Sequence, residues 1–237
     1  YDMGIDSQYT VGIPMRIASG TKNFTKEPAM SIQEFNTAVY YGKCIVSDAV
    51  NKGHNFFSFG EIGIGNTTTS AAVLCSLTGI SPRKIVGLGA SSDPYIIERK
   101  IKAVWVGLEL NAEWCKTPQD SLRCFGGFDL VTMYSAMLAC KTYNVPFMLD
   151  GFISAVAYAC AFHVRPDIHK LVIPSHMSKE PGMKHALNSA MISEHEVPLQ
   201  AGMALGEGSG AVMGLNLLQS ILYATTNIAK LSEVLGE

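Results

Sequence analysis

Three short apolar runs, each followed by a polar or glycine-rich turn, constrain the fold of this chain most strongly. The runs are residues 56–59, 145–149 and 171–173, and residues 84–89 form a weaker strand-and-turn signal. Short apolar strands that alternate with helical segments are typical of a parallel sheet with both faces covered. The pattern therefore predicts an α/β fold. The length of 237 residues fits one large domain or one and a half smaller ones.

The predicted helices begin and end at recognisable signals. Ser31 with Glu34 is a capping-box sequence that predicts a helix to about Asn51, and Thr117 starts another helix. Further helices are predicted from the turn after the first strand through residue 77, over residues 94–111 with Pro94 in the first turn, and over residues 128–142, 152–164, 182–189 and from 208 onward. Residues 208–229 carry no charge, but their polar side chains favour a helix buried in the core or in a subunit interface over a membrane span.

Two glycine-rich turns, each with a glutamate inside it, are the clearest candidate site. The first, residues 60–69, reads Gly-Glu-Ile-Gly-Ile-Gly-Asn-Thr-Thr-Thr and leads from a strand into a helix. Its glycines allow the backbone to approach a ligand closely, and its threonines precede a helix N-terminus, which is a natural anion site. The second turn, residues 205–211, repeats this pattern. Glu61 and Glu207 are therefore either active-site carboxylates or charges that complement helix dipoles.

Composition and motif searches exclude several classes of function. Neither turn contains the dinucleotide-binding or phosphate-binding-loop pattern, so a nicotinamide-dependent dehydrogenase and an ATPase are unsupported. The six cysteines lack C-x-x-C spacing and the histidines are scattered, which indicates reduced core thiols in a cytoplasmic protein and no metal site. The net charge of −2 does not indicate binding to nucleic acid or to an anionic membrane.

Other polar residues follow the predicted strands, where open parallel sheets bind their ligands. Asp150 is a candidate for holding ribose hydroxyls or for capping the following helix. Neighbouring residues on a turn rarely form a hydrogen-bonded nucleophile pair, so Ser175 and His176 are not favoured as one, and phosphate contact through Ser178 is preferred. By its charged surroundings alone, Lys100 is interpreted as a solvent-exposed helix residue.

Four motifs in this order resemble the nicotinate-nucleotide:dimethylbenzimidazole phosphoribosyltransferase family. They are Gly-Glu-Ile-Gly-Ile-Gly-Asn-Thr-Thr at 60–68, Leu-Asp-Gly-Phe at 149–152, Ile-Pro-Ser-His with Glu-Pro-Gly within 173–182, and Leu-Gly-Glu-Gly-Ser-Gly at 205–210. The resemblance runs from about Thr21 to the C-terminus. It implies a single domain with a Rossmann-like parallel sheet, flanking helices and a small helical subdomain. It further implies a homodimer that needs no cofactor and acts on nicotinate mononucleotide and a benzimidazole-type base, in the synthesis of the cobalamin lower loop.

The resemblance also implies a role for individual residues. Glu207 matches the general base of the family, and Glu61 matches the glutamate that assists at the base-binding end. Eight further residues match positions that bind the phosphate or the ribose: Gly63, Gly65, Asn66, Thr67, Gly89, Lys100, Asp150 and Ser178. Under this interpretation Lys100 contacts phosphate and is not a surface residue.

The chain departs from the family pattern in two places. Gly89 is followed by Ala-Ser-Ser where the family has Thr-Gly, so the phosphate geometry at this turn is expected to differ. Family members also carry a further N-terminal portion ahead of the position of Tyr1, which contributes to the benzimidazole pocket. The small helical subdomain is therefore expected to be partly missing, and the chain to be either a fragment or a protein with a differently built base pocket.

The chemistry of the implied reaction suits these residues. In nicotinate mononucleotide the leaving nitrogen is a pyridinium, so nicotinate departs without protonation, whereas the incoming benzimidazole must lose its N–H proton. Such a reaction requires a carboxylate base, a phosphate anchor and a flat apolar slot. Two alternatives remain open: a relative that uses another acceptor, such as adenine or a phenol, and a non-catalytic homologue that binds nucleotide or base.

Overall fold

A short parallel sheet forms the centre of the fold. The computed structural model describes residues 1–5, 12–93 and 95–235. Within these residues the sheet has the strand order β1 (Phe57–Phe59), β2 (Phe147–Leu149) and β3 (Val172–Pro174). Both strand pairs are parallel, with Phe147 of β2 opposite Phe57 on one side and Val172 on the other. The α/β prediction is confirmed, and all three carboxyl ends meet at one edge of the sheet.

Helices surround this sheet. Those in the described residues are α1 (Ile32–Asn51), α2 (Asn66–Thr78), α3 (Pro82–Ile85), α4 (Ile96–Asn111), α5 (Pro118–Phe125), α6 (Phe128–Tyr143), α7 (Phe152–Val164), α8 (Gly182–Ser189), α9 (Ser209–Asn227) and α10 (Leu231–Leu235). Short 3₁₀ helices span Pro166–Leu171 and Glu194–Glu196. The bounds of α7 and α8 are those predicted, and the others that were predicted agree to within a few residues.

Two helix starts follow directly from local sequence. The Ser31 hydroxyl accepts a hydrogen bond from the Glu34 amide at 3.2 Å, and the Glu34 carboxylate accepts one from the Ser31 amide at 2.7 Å. Thr117 and Asp120 make the same reciprocal pair at the start of α5. Each pair satisfies two amides that a helix leaves unpaired. The capping box predicted at Ser31 and the helix start predicted at Thr117 are therefore confirmed.

Residues 84–89 were predicted to form a strand followed by a turn, and the predicted strand was wrong. Lys84 and Ile85 lie in α3, and residues 86–89 make no ladder with the sheet. The physical reason is Pro82, whose fixed φ suits the first turn of a helix. The turn at 87–89 is nevertheless present, and Gly89 has a φ of +64°. Pro94, predicted in the first turn of α4, lies outside the described residues.

The core consists of the sheet and the helices packed on it. Strand β2 is buried throughout, and every residue of α7 from Phe152 to Phe162 is buried, as a fully apolar helix should be. Helix α6 packs between α1 and α7 and buries most of its length. This packing positions the strand ends and the loops that follow them.

Residues 208–229 were predicted to form a helix buried either in the core or in a subunit interface. Helix α9, which these residues form, is not a core helix. Its buried residues are Gly210, Ala211 and Gly214, which lie in its first two turns, and the rest of the helix is largely exposed. Only the N-terminal end of α9 reaches the sheet, because Gly214 allows it to lie against Met148 and Ser175. The core alternative is therefore wrong. Within the described part of the chain, no helix is both long enough and apolar enough to cross a membrane.

Candidate active site

A pocket opens at the carboxyl ends of the strands, and most of the predicted site residues line it. Those are Glu61, Gly63, Asn66, Thr67, Gly89, Asp150, Ser178 and Glu207. Gly65 does not line it, and Lys100 stands behind the lining residue Thr67. His176 and Glu180, which received no role from the sequence, also face the pocket. Residues from distant parts of the sequence thus share one concave site, as expected at this edge of a parallel sheet.

The two glycine-rich turns touch each other through their backbones. A Cβ atom built on Gly60 would lie 2.6 Å from both Cα and the amide nitrogen of Gly208, so the position requires glycine. Glu61 directly follows the first of these glycines, and Glu207 directly precedes the second. The contact therefore brings the two glutamates into the same pocket.

Asp150 anchors the second turn. Its side chain is buried, and its carboxylate accepts hydrogen bonds from the amides of Gly208 and Ala211, both at 3.0 Å. The carboxylate thus satisfies two free amides at the N-terminus of α9. The prediction that Asp150 caps the following helix was wrong, because it caps α9, some 58 residues further along the chain. Contact with ribose hydroxyls stays a prediction.

Glu207 has an unusual backbone. Its φ is +57°, between Gly206 at +73° and Gly208 at +82°, so three consecutive residues adopt the left-handed conformation. That conformation costs a glutamate about 1–3 kcal/mol and is typically kept where function requires the side chain to point in one direction. Here it directs an exposed carboxylate to the pocket beside the N-terminus of α9.

Glu61 belongs to a small hydrogen-bonded group of acidic and amide side chains. Its Oε2 accepts hydrogen bonds from the Gly63 amide at 2.8 Å and from the Asn66 side-chain Nδ2. The same Nδ2 donates to Oδ2 of Asp129 at 2.9 Å. Burial raises the pKa of Glu61 to about 6, and the negative charges of Asp129 and Asp150 add to this, while the two hydrogen bonds oppose it.

Sequence reasoning did not single out Asp129. It lies in the first turn of α6, two residues after Gly127. An acidic residue there has an ordinary explanation, since it complements the helix dipole. No local pattern indicates that its side chain reaches Asn66, which is 63 residues away in sequence.

Lys100 lies behind the part of the pocket wall that Thr67 and Gly89 form, which we call the cation end, and it is not the solvent-exposed residue that its charge pattern indicated. Its Nζ donates hydrogen bonds to Oγ1 of Thr67 and to the carbonyl oxygen of Gly87, both at 2.9 Å. Burial lowers the pKa of Lys100, and the nearby Glu180 opposes this change. Glu180 in turn accepts a hydrogen bond from the Gly89 amide at 2.8 Å. A cation beside the N-terminus of α2 is a suitable site for an anion.

Ser175 and His176 do form a hydrogen bond, at 3.1 Å between Oγ and Nδ1, contrary to the expectation for neighbouring residues. The Ser175 hydroxyl donates its proton to the carbonyl oxygen of Asp150 at 2.9 Å, so the imidazole must be the donor to Oγ. Burial lowers the pKa of His176, and the negative charge of Asp150 opposes this change. The serine proton is thus directed at the backbone, which makes the pair structural and not a nucleophile with its base. The Ser178 hydroxyl accepts from the Glu180 amide at 3.3 Å and faces the pocket.

Comparison with known proteins points to one family. The family model described as DBI_PRT, phosphoribosyltransferase, matches residues 1–234. The nicotinate-nucleotide–dimethylbenzimidazole phosphoribosyltransferases of Photorhabdus laumondii and Clostridium tetani are similar, with 34% and 35% identity over 98% of this chain. This chain spans 66% and 64% of their lengths, slightly less than two thirds. The crystal structure of CobT from Thermus thermophilus is also similar, with a TM-score of 0.89 at 28% identity, over 98% of this chain and 69% of that one.

Proposed function

This chain belongs to the DBI_PRT phosphoribosyltransferase family, and on that premise we propose that it transfers the phosphoribosyl group of nicotinate mononucleotide to 5,6-dimethylbenzimidazole or a related base. The products are α-ribazole 5′-phosphate and nicotinate, and the reaction serves the lower loop of cobalamin. We further propose a cytoplasmic homodimer that requires no cofactor. The observation that carries the proposal is one pocket that two glutamates line, with an anchored cation behind the part of its wall that Thr67 forms.

The cation end suits the phosphate of the donor. Lys100 uses two of its three N–H donors on Thr67 and Gly87, which orients the ammonium and leaves the third for an anion. The amides at the start of α2 and the left-handed Gly89 lie beside it. Anchoring the phosphate at this end positions the anomeric carbon C1′ of the ribose between the anchor and the two glutamates.

The glutamate end suits the acceptor base. In the proposed step, the acceptor nitrogen forms a bond to C1′ while the bond from C1′ to the nicotinate nitrogen breaks. The N–H proton of the acceptor base passes to the Glu207 carboxylate, and the electrons of the broken bond leave with nicotinate. Attack from the face opposite the leaving base converts the β-nucleotide to the α form. Glu61 orients the acceptor or Glu207 itself.

The experiment is to incubate the purified chain with nicotinate mononucleotide and a panel of acceptors, and to follow nicotinate release and product formation by chromatography. The panel consists of dimethylbenzimidazole, benzimidazole, adenine and phenol. Release that depends on a benzimidazole supports the proposal, and release with adenine or phenol alone assigns another acceptor. Binding of nucleotide or base without release identifies a non-catalytic homologue.

The role of Glu207 is tested by Glu207→Gln, with Glu109→Gln as a matched control. Glu109 lies exposed on α4 and does not line the pocket. Removing general-base catalysis lowers the transfer rate by about 10²–10⁴-fold, whereas the control retains it. Full activity of Glu207→Gln at saturating substrates contradicts this assignment.

A further inference from the structure

The amide of Asn66 connects two carboxylates that belong to different parts of the fold. Its Nδ2 carries two protons, and one is donated to Glu61 in the first glycine-rich turn while the other goes to Asp129 on α6. Asn66 is buried, and Glu61 and Asp129 are partly shielded from solvent. The group is therefore held by packing and is not a chance surface contact.

The first glycine-rich turn lies close against this group. A Cβ atom on Gly63 would lie 2.3 Å from Nδ2 of Asn66 and 2.5 Å from Oδ2 of Asp129, so the turn itself closes over the two side chains. Asp129 is held from its other side as well, since its Oδ1 accepts a hydrogen bond from the Leu130 amide at 2.8 Å. Each carboxylate oxygen of Asp129 thus has a defined partner, which orients it towards Asn66.

We propose that Asp129, acting through the side-chain amide of Asn66, is a positioning residue that orients the Glu61 carboxylate at the acceptor end of the pocket. Asp129 itself does not line the pocket, so it acts through Glu61 and not on the substrate. Only the kinetic test of this assignment rests on the proposed function. The position and the titration of Glu61 are measurable without substrate.

The charges around Glu61 support a functional coupling. Asp129 faces it from α6 and Asp150 from the end of β2, and both are negative charges that oppose its ionisation after burial. Glu207 lines the same pocket from the turn before α9, and His176, whose pKa burial lowers, lines it after β3. At the cation end, Glu180 accepts a hydrogen bond from the Gly89 amide, and Lys100 donates one to the Gly87 carbonyl oxygen. Asp129 is the charged neighbour that shares a hydrogen-bond donor with Glu61, so it has the most direct influence.

Two substitutions are expected to move Glu61 in opposite directions. Asp129→Asn leaves one acceptor oxygen, which either Asn66 or the Leu130 amide can use. In both orientations the negative charge beside Glu61 is gone, so the pKa of Glu61 falls from about 6 towards 4.5. Asn66→Ala removes a hydrogen bond that favours the ionised form, so the pKa of Glu61 rises. A loss of folding alone does not produce shifts of opposite sign.

The first readout is the ¹³C chemical shift of the Glu61 carboxyl against pH, and this signal is assigned by its absence in Glu61→Gln. The second readout is the pH profile of kcat/KM for the acceptor base. With Asp129→Asn, the acid limb is expected to move to lower pH. The acceptor kcat/KM at its optimum falls by up to about 10²-fold, while KM for nicotinate mononucleotide stays unchanged. Asp48→Asn is the charge-matched control, since Asp48 is exposed on α1, and it leaves both readouts unchanged.

An unchanged Glu61 titration in both variants overturns the proposal, whatever the activity of the chain. Equal shifts of the same sign in both variants also overturn it. If the wild-type chain transfers no phosphoribosyl group but the titrations move in opposite directions, the proposed function fails and the coupling of Asp129 to Glu61 stands.

Discussion

Gly60 and Gly208 lie with their backbones in contact, so that a Cβ atom on Gly60 would stand 2.6 Å from Cα of Gly208. One belongs to the turn after β1 and the other to the turn before α9, which are 148 positions apart in the chain (208 minus 60). Each is the direct neighbour of a pocket glutamate. The distance between the acceptor-end carboxylates thus depends on two residues that have no side chain.

Gly60→Ala is expected to separate the two turns. The new methyl group meets backbone atoms that cannot rotate away, so stability falls by about 1–3 kcal/mol. The transfer rate falls by about 10²-fold as Glu61 and Glu207 move apart. Gly53→Ala is the control, because Gly53 has a positive φ but nothing within 4 Å of a Cβ atom. Gly53→Ala lowers the stability by about 1 kcal/mol without loss of activity. Comparable losses of activity in both variants contradict this interpretation.

Asp150→Asn is expected to weaken both the fold and the site. An amide has one acceptor oxygen, so its NH₂ group must face the amide of either Gly208 or Ala211, where the carboxylate accepted a hydrogen bond. A buried donor without a partner costs about 1–3 kcal/mol, which urea unfolding measures. Ser31→Ala removes the cap of α1 instead, at a cost of about 1 kcal/mol. Transfer activity is lost in Asp150→Asn and kept in Ser31→Ala. The reason is that Asp150 supports the second glycine-rich turn, whereas Ser31 does not.

Lys100→Met is expected to weaken recognition of the donor phosphate. Losing a hydrogen bond to a charged group costs about 1.5–3 kcal/mol, so kcat/KM for nicotinate mononucleotide falls roughly 10- to 100-fold. The variant and the wild type are expected to be equally poor with nicotinate riboside, which lacks the phosphate. Lys102→Met provides the control, because Lys102 is an exposed lysine two residues along α4. This variant retains the wild-type ratio of kcat/KM between the two donors. An equal loss with both donors shows that Lys100 acts elsewhere.

The stability of the chain is expected to depend on pH through Glu61. Its pKa is raised from 4.5 to about 6 in the folded state, so the folded chain holds a proton that the unfolded chain releases. The resulting stabilisation is fully present below pH 4.5 and is lost as the pH rises through 6. A shift of this size corresponds to about 2 kcal/mol.

Glu61→Gln removes this titration, so its free energy of unfolding changes less between pH 4 and pH 7 than that of the wild type. Urea unfolding at each pH measures the difference. The matched variant Glu109→Gln follows the wild-type curve because Glu109 is exposed. A difference between wild type and Glu61→Gln that does not vary with pH contradicts the raised pKa.

The amino-acid sequence by itself determined the features that depend on neighbours in the chain. The capping boxes at Ser31 and Thr117 set two helix starts, and the apolar runs predicted three strands that the sheet confirms. Unbroken apolar content correctly predicted that α7 lies inside the protein. These features are readable because hydrogen bonds over a few residues and the periodicity of burial act locally.

Tertiary structure decided which distant groups share a hydrogen bond. Asp150 was expected to cap the helix that follows it, but the sheet brings the N-terminus of α9 closer to its carboxylate. Lys100 carries the charge pattern of a surface residue, yet the packing of α4 on α2 directs its ammonium at Thr67. Asp129 meets Asn66 only because α6 begins beside the first glycine-rich turn. A carboxylate or an ammonium binds whatever donor or acceptor the fold places within about 3 Å, and that choice is not encoded in its neighbours along the chain.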